Sequence, residues 1–351
     1  MTHSVTASPK LYIGIDIHKK SWKVHFCTDL FDGATKSFVP DPEAFKNYVD
    51  KHYPDHKITC AYEAGCCGYS AARAFSSFRW EVLVVNPADI PRPGKQRLVK
   101  TDKIDCINIA KQLKNEALHS IRIPDIQQEQ LRCLFRRRFD LVKDFRKIKS
   151  RLKSFLLYHG IHVPLSFDNP NWSHDFIDWI IDLEWKHITA QIALDSMISF
   201  YRFVDEQLRD VSKKIRAYCR KHHKMDYYLM RSIPGIGPLS AAAFISEAGD
   251  LRRFQSFKQF ASFIGMVPGI YQSGDKLKTF GMTPRSNRIL RSYIIEAAWV
   301  ACRKDPVMQE YYRKHGGKNS KAIIVKVGRK LLSRLLAVIK TQTPYQIGVI
   351  N

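Results

Sequence analysis

LYIGIDIHKKSWKVHFC, residues 11–27, decides the fold. The stretch reads as two β-strands joined by a polar turn at His18, Lys19 and Lys20: residues alternate around Asp16 in the first strand, and β-rich character resumes at Trp22, Val24 and Phe26. A third strand is expected near Lys36 to Val39, followed by an amphipathic helix from Asp41 to Tyr53. KITCAYEAG (57–65) and EVLVVNP (81–87) are apolar runs of the kind buried strands show, with a helix expected around Gly68 to Phe78 between them. A β-meander followed by alternating helix and strand describes an α/β domain of the ribonuclease H type. Doubly wound nucleotide-binding folds compete with that reading, but the chain contains no GxGxxG or GxxxxGK[ST] to support them.

On this framework four acids attract attention. Asp16 lies within the apolar first strand, where a carboxylate is costly to bury without compensation. Glu63 ends KITCAYEAG, where open α/β sheets present ligand-binding groups beyond the carboxyl ends of their strands. TDKIDCINIAKQL (101–113) is expected to be a helix in which Asp102 and Asp105 stand three apart on one face, while Ile104, Ile107, Ile109 and Leu113 pack on the sheet. Helix N-capping explains either of these two aspartates equally well; it does not explain the pair together with Asp16. In a chain of net charge +24, carboxylates that converge call for a cation, and a divalent metal acting on a nucleic-acid phosphate fits.

The charge balance, 57 Lys and Arg against 33 Asp and Glu, makes a polyanion the leading partner, because binding releases condensed counterions. No window approaches the roughly 18 apolar residues of a membrane span, so no membrane partner is expected. MTHSVTASPK, at the start, lacks a hydrophobic signal core, and a cytoplasmic location is expected. Cysteines at 27, 60, 66, 67, 106, 133, 219 and 302 show neither CxxC pairs nor zinc spacing and read as core thiols; the adjacent Cys66 and Cys67 read as packing rather than as a redox pair.

From Gln127 to Tyr158 runs a long basic helix with ten Lys and Arg against two acids over 131–153. So little opposite charge is available for pairing along the helix that a phosphate-tracking face is the favoured reading, with Arg136, Arg137, Arg138, Lys147 and Arg151 as candidates. IHVPLSFDNPNW (161–172) has the composition of a linker. Beyond it, Leu194, Met197, Tyr201, Val204, Leu208, Val211, Ile215 and Tyr218 recur at heptad spacing, which fits either a coiled-coil seam between chains or packing within one. PGIG (234–237) would form a small anion-binding nest through amides at Gly235 and Gly237 ahead of a helix. Further on, Ser273 and Gly274 fall in a loop followed by Lys276, Arg285, Arg288 and Arg291, basic groups suited to hold a phosphate for serine attack.

Taken in order, Asp16, Glu63, Asp102 with Asp105, the heptad middle, PGIGPLSA, GMVPGIYQSG (265–274) and RSNRILR (285–291) resemble the insertion-sequence-110 family of transposases, the DEDD recombinases, over nearly the whole chain. The resemblance implies a RuvC-like ribonuclease H domain (1–125), a basic-helix and coiled-coil region used in assembly (126–225) and a mainly α-helical C-terminal transposase domain (226–351). It also implies that Asp16, Glu63, Asp102 and Asp105 hold Mg2+ and that Ser273 forms a covalent phosphoserine link to DNA. A structured bridge RNA would pair with target and donor DNA, and the protein would act as a homo-oligomer, a dimer or a tetramer. Two other readings stay open from the residues alone: a metal-dependent structure-selective nuclease that does not use the serine, and a non-catalytic nucleic-acid-binding protein.

Overall fold

The computed structural model describes residues 8–91, 102–169, 172–273, 276–315 and 319–348; of these, 102–103 and 270–280 are described by their backbone alone. The chain forms two compact units, Met1–Pro124 and Asp125–Asn351.

In the first unit β1 (Lys10–Ile17), β2 (Trp22–Thr28) and β3 (Asp32–Phe38) form an antiparallel meander, and β4 (Lys57–Glu63) and β5 (Glu81–Val85) add in parallel on the other side of β1. The resulting order, β3-β2-β1-β4-β5, is the mixed sheet expected of the ribonuclease H type. β3 begins four residues earlier than the sequence led us to expect, because its first half pairs across the β-bulge at His25 and Cys27. Helices α1 (Pro42–His52) and α2 (Ser70–Ser77) cover one face of the sheet, where Leu11, Ile13, Ile15, Val24 and Phe26 pack against Phe45, Val49 and Phe75. On the opposite face α3 (Asp102–Lys114) brings Ile109, Ala110 and Leu113 to Tyr12, Cys27, Ala61 and Val85. The strict alternation of β1 produces this division, since successive side chains point to opposite faces.

Gly14 lies where α3 crosses β1. A Cβ there would stand 2.2 Å from the Cys106 carbonyl oxygen and 2.4 Å from the Ala110 amide nitrogen, both backbone atoms that cannot rotate away. Gly14→Ala should therefore push α3 off the sheet and cost about 3 kcal/mol, the upper part of the usual overpacking range, in a denaturant titration.

The second unit is helical apart from one hairpin. α4 (Ile126–Tyr158) lies antiparallel to α6 (Ile188–His222): Leu131 and Phe135 share a core with Val211 and Ile215, whereas Ile148, Leu152 and Leu156 near its other end meet Leu194, Ile198 and Tyr201. The heptad residues Leu194, Tyr201, Val204, Val211 and Ile215 thus pack within the chain, and the in-chain alternative describes them. Nor do the described residues of 161–172 hang free as a linker; Ile161, Val163, Phe167 and Trp172 pack with α5 (His174–Ile181) onto the same cluster. α7 (Lys224–Arg231) leads into α8 (Pro238–Ala248), whose run of Ala241 to Ala248 is buried on every side, so α8 is the central helix of the unit. α9 (Phe257–Ile264), the hairpin β6 (Pro268–Ser273) and β7 (Lys276–Met282), then α10 (Arg288–Lys304), α11 (Pro306–Lys314) and α12 (Ser320–Thr341) complete it. Among the described residues no helix is long and apolar enough to cross a membrane.

Candidate functional site

Asp16 follows Gly14 by two residues in β1 and so shares its face, the one covered by α3. Ile15 pairs with Tyr62 in the parallel register of β1 and β4, which sets Glu63 level with Asp16 and on the same face. The direction of α3 completes the arrangement. Its last residue, Lys114, donates to the carbonyls of Thr28 and Asp29 at the far end of the sheet, where Thr28 pairs with Leu11, and Cys106 sits over Gly14. The start of α3 therefore points toward the carboxyl ends of β1 and β4, carrying Asp105 with it. Cys106 registers the result. Its buried thiol is pushed up to about 11, first by burial and then by the negative charges of Asp16 and Asp105, so both carboxylates lie within electrostatic reach of one sulfur.

Three of the four expected acids thus gather on one face and at one end of the sheet; the side chain of Asp102 lies outside the described residues. Among the described residues no three His, Cys, Asp or Glu side chains stand close enough to hold a metal ion between them. Asp16 meets Nε2 of His18, the first residue of the β1–β2 turn, at 3.0 Å. His18 lies in the turn expected from the sequence, and its place two positions beyond Asp16 is the signal that could have marked the contact. The donor set still suits magnesium, a hard cation commonly held by one or two carboxylates together with waters and substrate phosphate oxygens.

In the second unit Ser273 is the last residue of β6 and pairs with Lys276, which places it at the tip of the hairpin; the side chains of both, and Gly274, lie outside the described residues. The base of the hairpin is firmly held. The Thr283 amide donates to the Val267 carbonyl at 3.1 Å, and the Asn287 amide to Phe263 at 3.2 Å. Arg291 donates to the carbonyls of Thr283 (2.8 Å) and Gly265 (3.3 Å), and Arg329 to that of Met266 (2.6 Å). Arg291, expected to meet phosphate, therefore directs its guanidinium at hairpin carbonyls, whereas Arg285 and Arg288 are exposed.

Protein groups likewise engage part of the basic helix. Glu247, 1% exposed, accepts from Nε and Nη2 of Arg136 at 2.8 and 3.0 Å and from Nδ2 of Asn287 at 2.9 Å. Arg138 donates to the hydroxyls of Ser212 and Tyr293. A buried carboxylate demands paired, hydrogen-bonded partners, and the guanidinium of Arg136 supplies two of these bonds while its side chain stays exposed. Asn287 also caps α10 through the Leu290 amide, so Glu247 links the basic helix to the element that follows the serine hairpin. Arg137, Lys147 and Arg151 remain on the exposed side of α4. At the PGIG turn, Gly235 has φ of +90° and a Cβ there would meet the Ala297 carbonyl at 2.1 Å, so this glycine serves close packing on α10; Gly237, which N-caps α8, has open space on its Cα.

A mixed sheet with carboxylates at its strand ends stands beside a helical unit carrying a serine hairpin and an exposed basic face, and comparison with known proteins shows which family has this make-up. Residues 13–160 match the IS110-type DEDD transposase domain, which carries a ribonuclease H-like fold, and residues 227–313 match the transposase IS116/IS110/IS902 family. Protein y4qE of Sinorhizobium fredii is 30% identical over 247 residues, covering 70% of this chain and 58% of that one, under two thirds of its length. The transposase for insertion sequence element IS1533 of Leptospira borgpetersenii is 25% identical over 296 residues, 83% and 85% of the two chains. The pilin gene-inverting protein of Moraxella lacunata is 25% identical over 350 residues, 96% and 98%. The chain belongs to the IS110 family of transposases.

Proposed function

We propose that this chain is the transposase of an insertion sequence, cutting and rejoining DNA through a phosphoserine intermediate with a structured RNA as its guide. What supports the reading is the β1–β4 register, which sets Asp16 and Glu63 on one face of the sheet, together with the course of α3 over Gly14 on that face. Mg2+ held by Asp16, Glu63, Asp102 and Asp105 would offset charge on the scissile phosphate. Ser273 attacks that phosphate: an Oγ–P bond forms, the P–O bond to one flanking deoxyribose breaks, and that sugar leaves with a hydroxyl. Rejoining runs the same exchange in reverse with a hydroxyl from another strand, so the energy of the original phosphodiester is retained, which hydrolysis would lose. Arg285 and Arg288, exposed beside the hairpin, stabilise the phosphorane-like charge, and pinning of the hairpin base by Arg291 and Arg329 keeps the serine placed.

Net charge +24 and the exposed Arg137, Lys147 and Arg151 support a nucleic-acid partner. Reading sequence through RNA pairing would leave the protein to recognise mainly backbone and shape. Sequencing the nucleic acid that co-purifies with the protein tests this part. A discrete RNA from the flanks of the element is expected; random fragments would contradict guidance.

A further inference from the structure

The turn between β4 and α2 carries two adjacent thiols, and the structure does not bury them as a packing pair. Cys66 is exposed and Cys67 partly so, with their sulfurs 3.9 Å apart. Cys67 donates to the carbonyl of Ile17 at 3.8 Å, the residue next to Asp16. The turn is fixed at both sides: Ala64, next to Glu63, donates to the Val85 carbonyl at 2.8 Å, and the Tyr62 hydroxyl donates to Gly68 at 3.1 Å. Motion of this turn therefore acts on the two strand ends that carry Asp16 and Glu63. Among the other thiols near these acids, Cys60 and Cys106 are fully buried, and burial pushes both up, so neither competes for a reagent in solution.

We propose that Cys66 and Cys67 form a reversible redox site that reacts with a low-molecular-weight disulfide and closes to a vicinal disulfide, disabling the carboxylate site beside it. The thiolate of the exposed Cys66 attacks one sulfur of glutathione disulfide, forming a mixed disulfide and releasing one glutathione thiolate, which takes up the Cys66 proton. Cys67 then loses its proton and attacks the Cys66 sulfur, expelling the second glutathione; two protein thiols are oxidised and one disulfide is reduced to two thiols. Burial and the neighbouring Cys66 push the Cys67 thiol up, in keeping with its place as the second, resolving group. Closing the bond draws sulfurs now 3.9 Å apart to about 2.05 Å and takes Cys67 from the Ile17 carbonyl. Adjacent Cα atoms stand about 3.8 Å apart across a trans peptide, below the usual disulfide span, so the bond is strained and readily reduced, as a switch requires.

The switching part rests on the function proposed above; the thiol chemistry does not, and the experiment separates them. The full-length protein is incubated with glutathione disulfide, its free thiols are alkylated after denaturation, and the tryptic peptide 58–73, which holds Cys60, Cys66 and Cys67, is weighed. The expected product has Cys60 alkylated and Cys66 joined to Cys67, is reversed by dithiothreitol, and stops at a glutathione adduct on Cys66 in Cys67→Ser. Alkylation of all three thiols with and without glutathione disulfide, or an unresolved adduct on Cys66 of the unaltered protein, would overturn the proposal. In parallel, Mg2+-dependent DNA cleavage should fall about a hundredfold on oxidation, the loss that an ångström-scale displacement of reacting groups brings, and return on reduction, while the Cys66→Ser/Cys67→Ser protein stays active throughout. Cleavage that is unchanged by a bond seen in the peptide would overturn the switch. A reduced protein with no cleavage at all would count against the transposase reading and leave the peptide result standing.

Discussion

Ser273→Ala should abolish strand transfer, lowering the cleavage rate by about 10⁶-fold, the scale seen when a covalent nucleophile is removed from a serine enzyme. The side chain loses one oxygen at the tip of a hairpin whose base is pinned independently by Arg291, Arg329 and the Thr283 and Asn287 amides, so the fold and affinity for DNA should not change. A gel assay of cleavage and strand transfer, run beside a binding titration, checks both expectations. The outcome also separates two chemistries. A metal nuclease working from carboxylates alone would keep cutting without the serine, because water would be its nucleophile. Resealing of the cut bond cannot proceed that way, since the energy released to water is unavailable for remaking it.

Asp16→Asn should lower the same activity by about 10³-fold, the upper range for removing one preorganised electrostatic group from an active site. The replacement keeps the shape of the side chain and can still meet His18, which stands 3.0 Å from the carboxylate. What is lost is a negative charge that shares one face with Glu63 and Asp105. In the absence of metal those charges repel, so the substitution should leave the melting temperature unchanged or raise it while activity falls. Opposite signs in the two measurements distinguish a metal-holding carboxylate from one that merely supports the fold, whose loss would lower both. A fall in melting temperature together with activity would point to the second.

The first unit was legible because its information is local. Alternation in β1, a turn of three polar residues and two apolar runs fixed the sheet, and the side-chain period of two then set Asp16 and Glu63 on one face. α3 was legible in part: Ile109 and Leu113 face the sheet as expected, but Cys106 and Ala110 fill the rest of that face, and Ile104 and Ile107 are only partly buried. The roles of the basic residues were much less legible. Arg136 and Glu247 are 111 residues apart, and nothing near either marks the pair. A basic helix with few acids of its own reads as phosphate-binding when the acid it needs arrives from a distant buried helix. The partners of Arg291 are illegible for the same reason, being backbone carbonyls, which carry no signature in sequence. Heptad spacing showed that α6 has an apolar seam but not which helix covers it, and α4 of the same chain does so. Exposure of Cys66 depended on the β4–α2 turn lying at the surface, which residue type alone does not report.

The most direct measurement is to find what DNA is joined to. Protein incubated with Mg2+ and a duplex carrying an element end is denatured, digested with trypsin and nuclease, and searched for a peptide bearing a nucleotide. The account predicts one such peptide, 259–276, linked through a phosphodiester at Ser273, and none from Ser273→Ala or Asp16→Asn protein. DNA cut by the unaltered protein with no covalent peptide, or with the nucleotide on another residue, would contradict it.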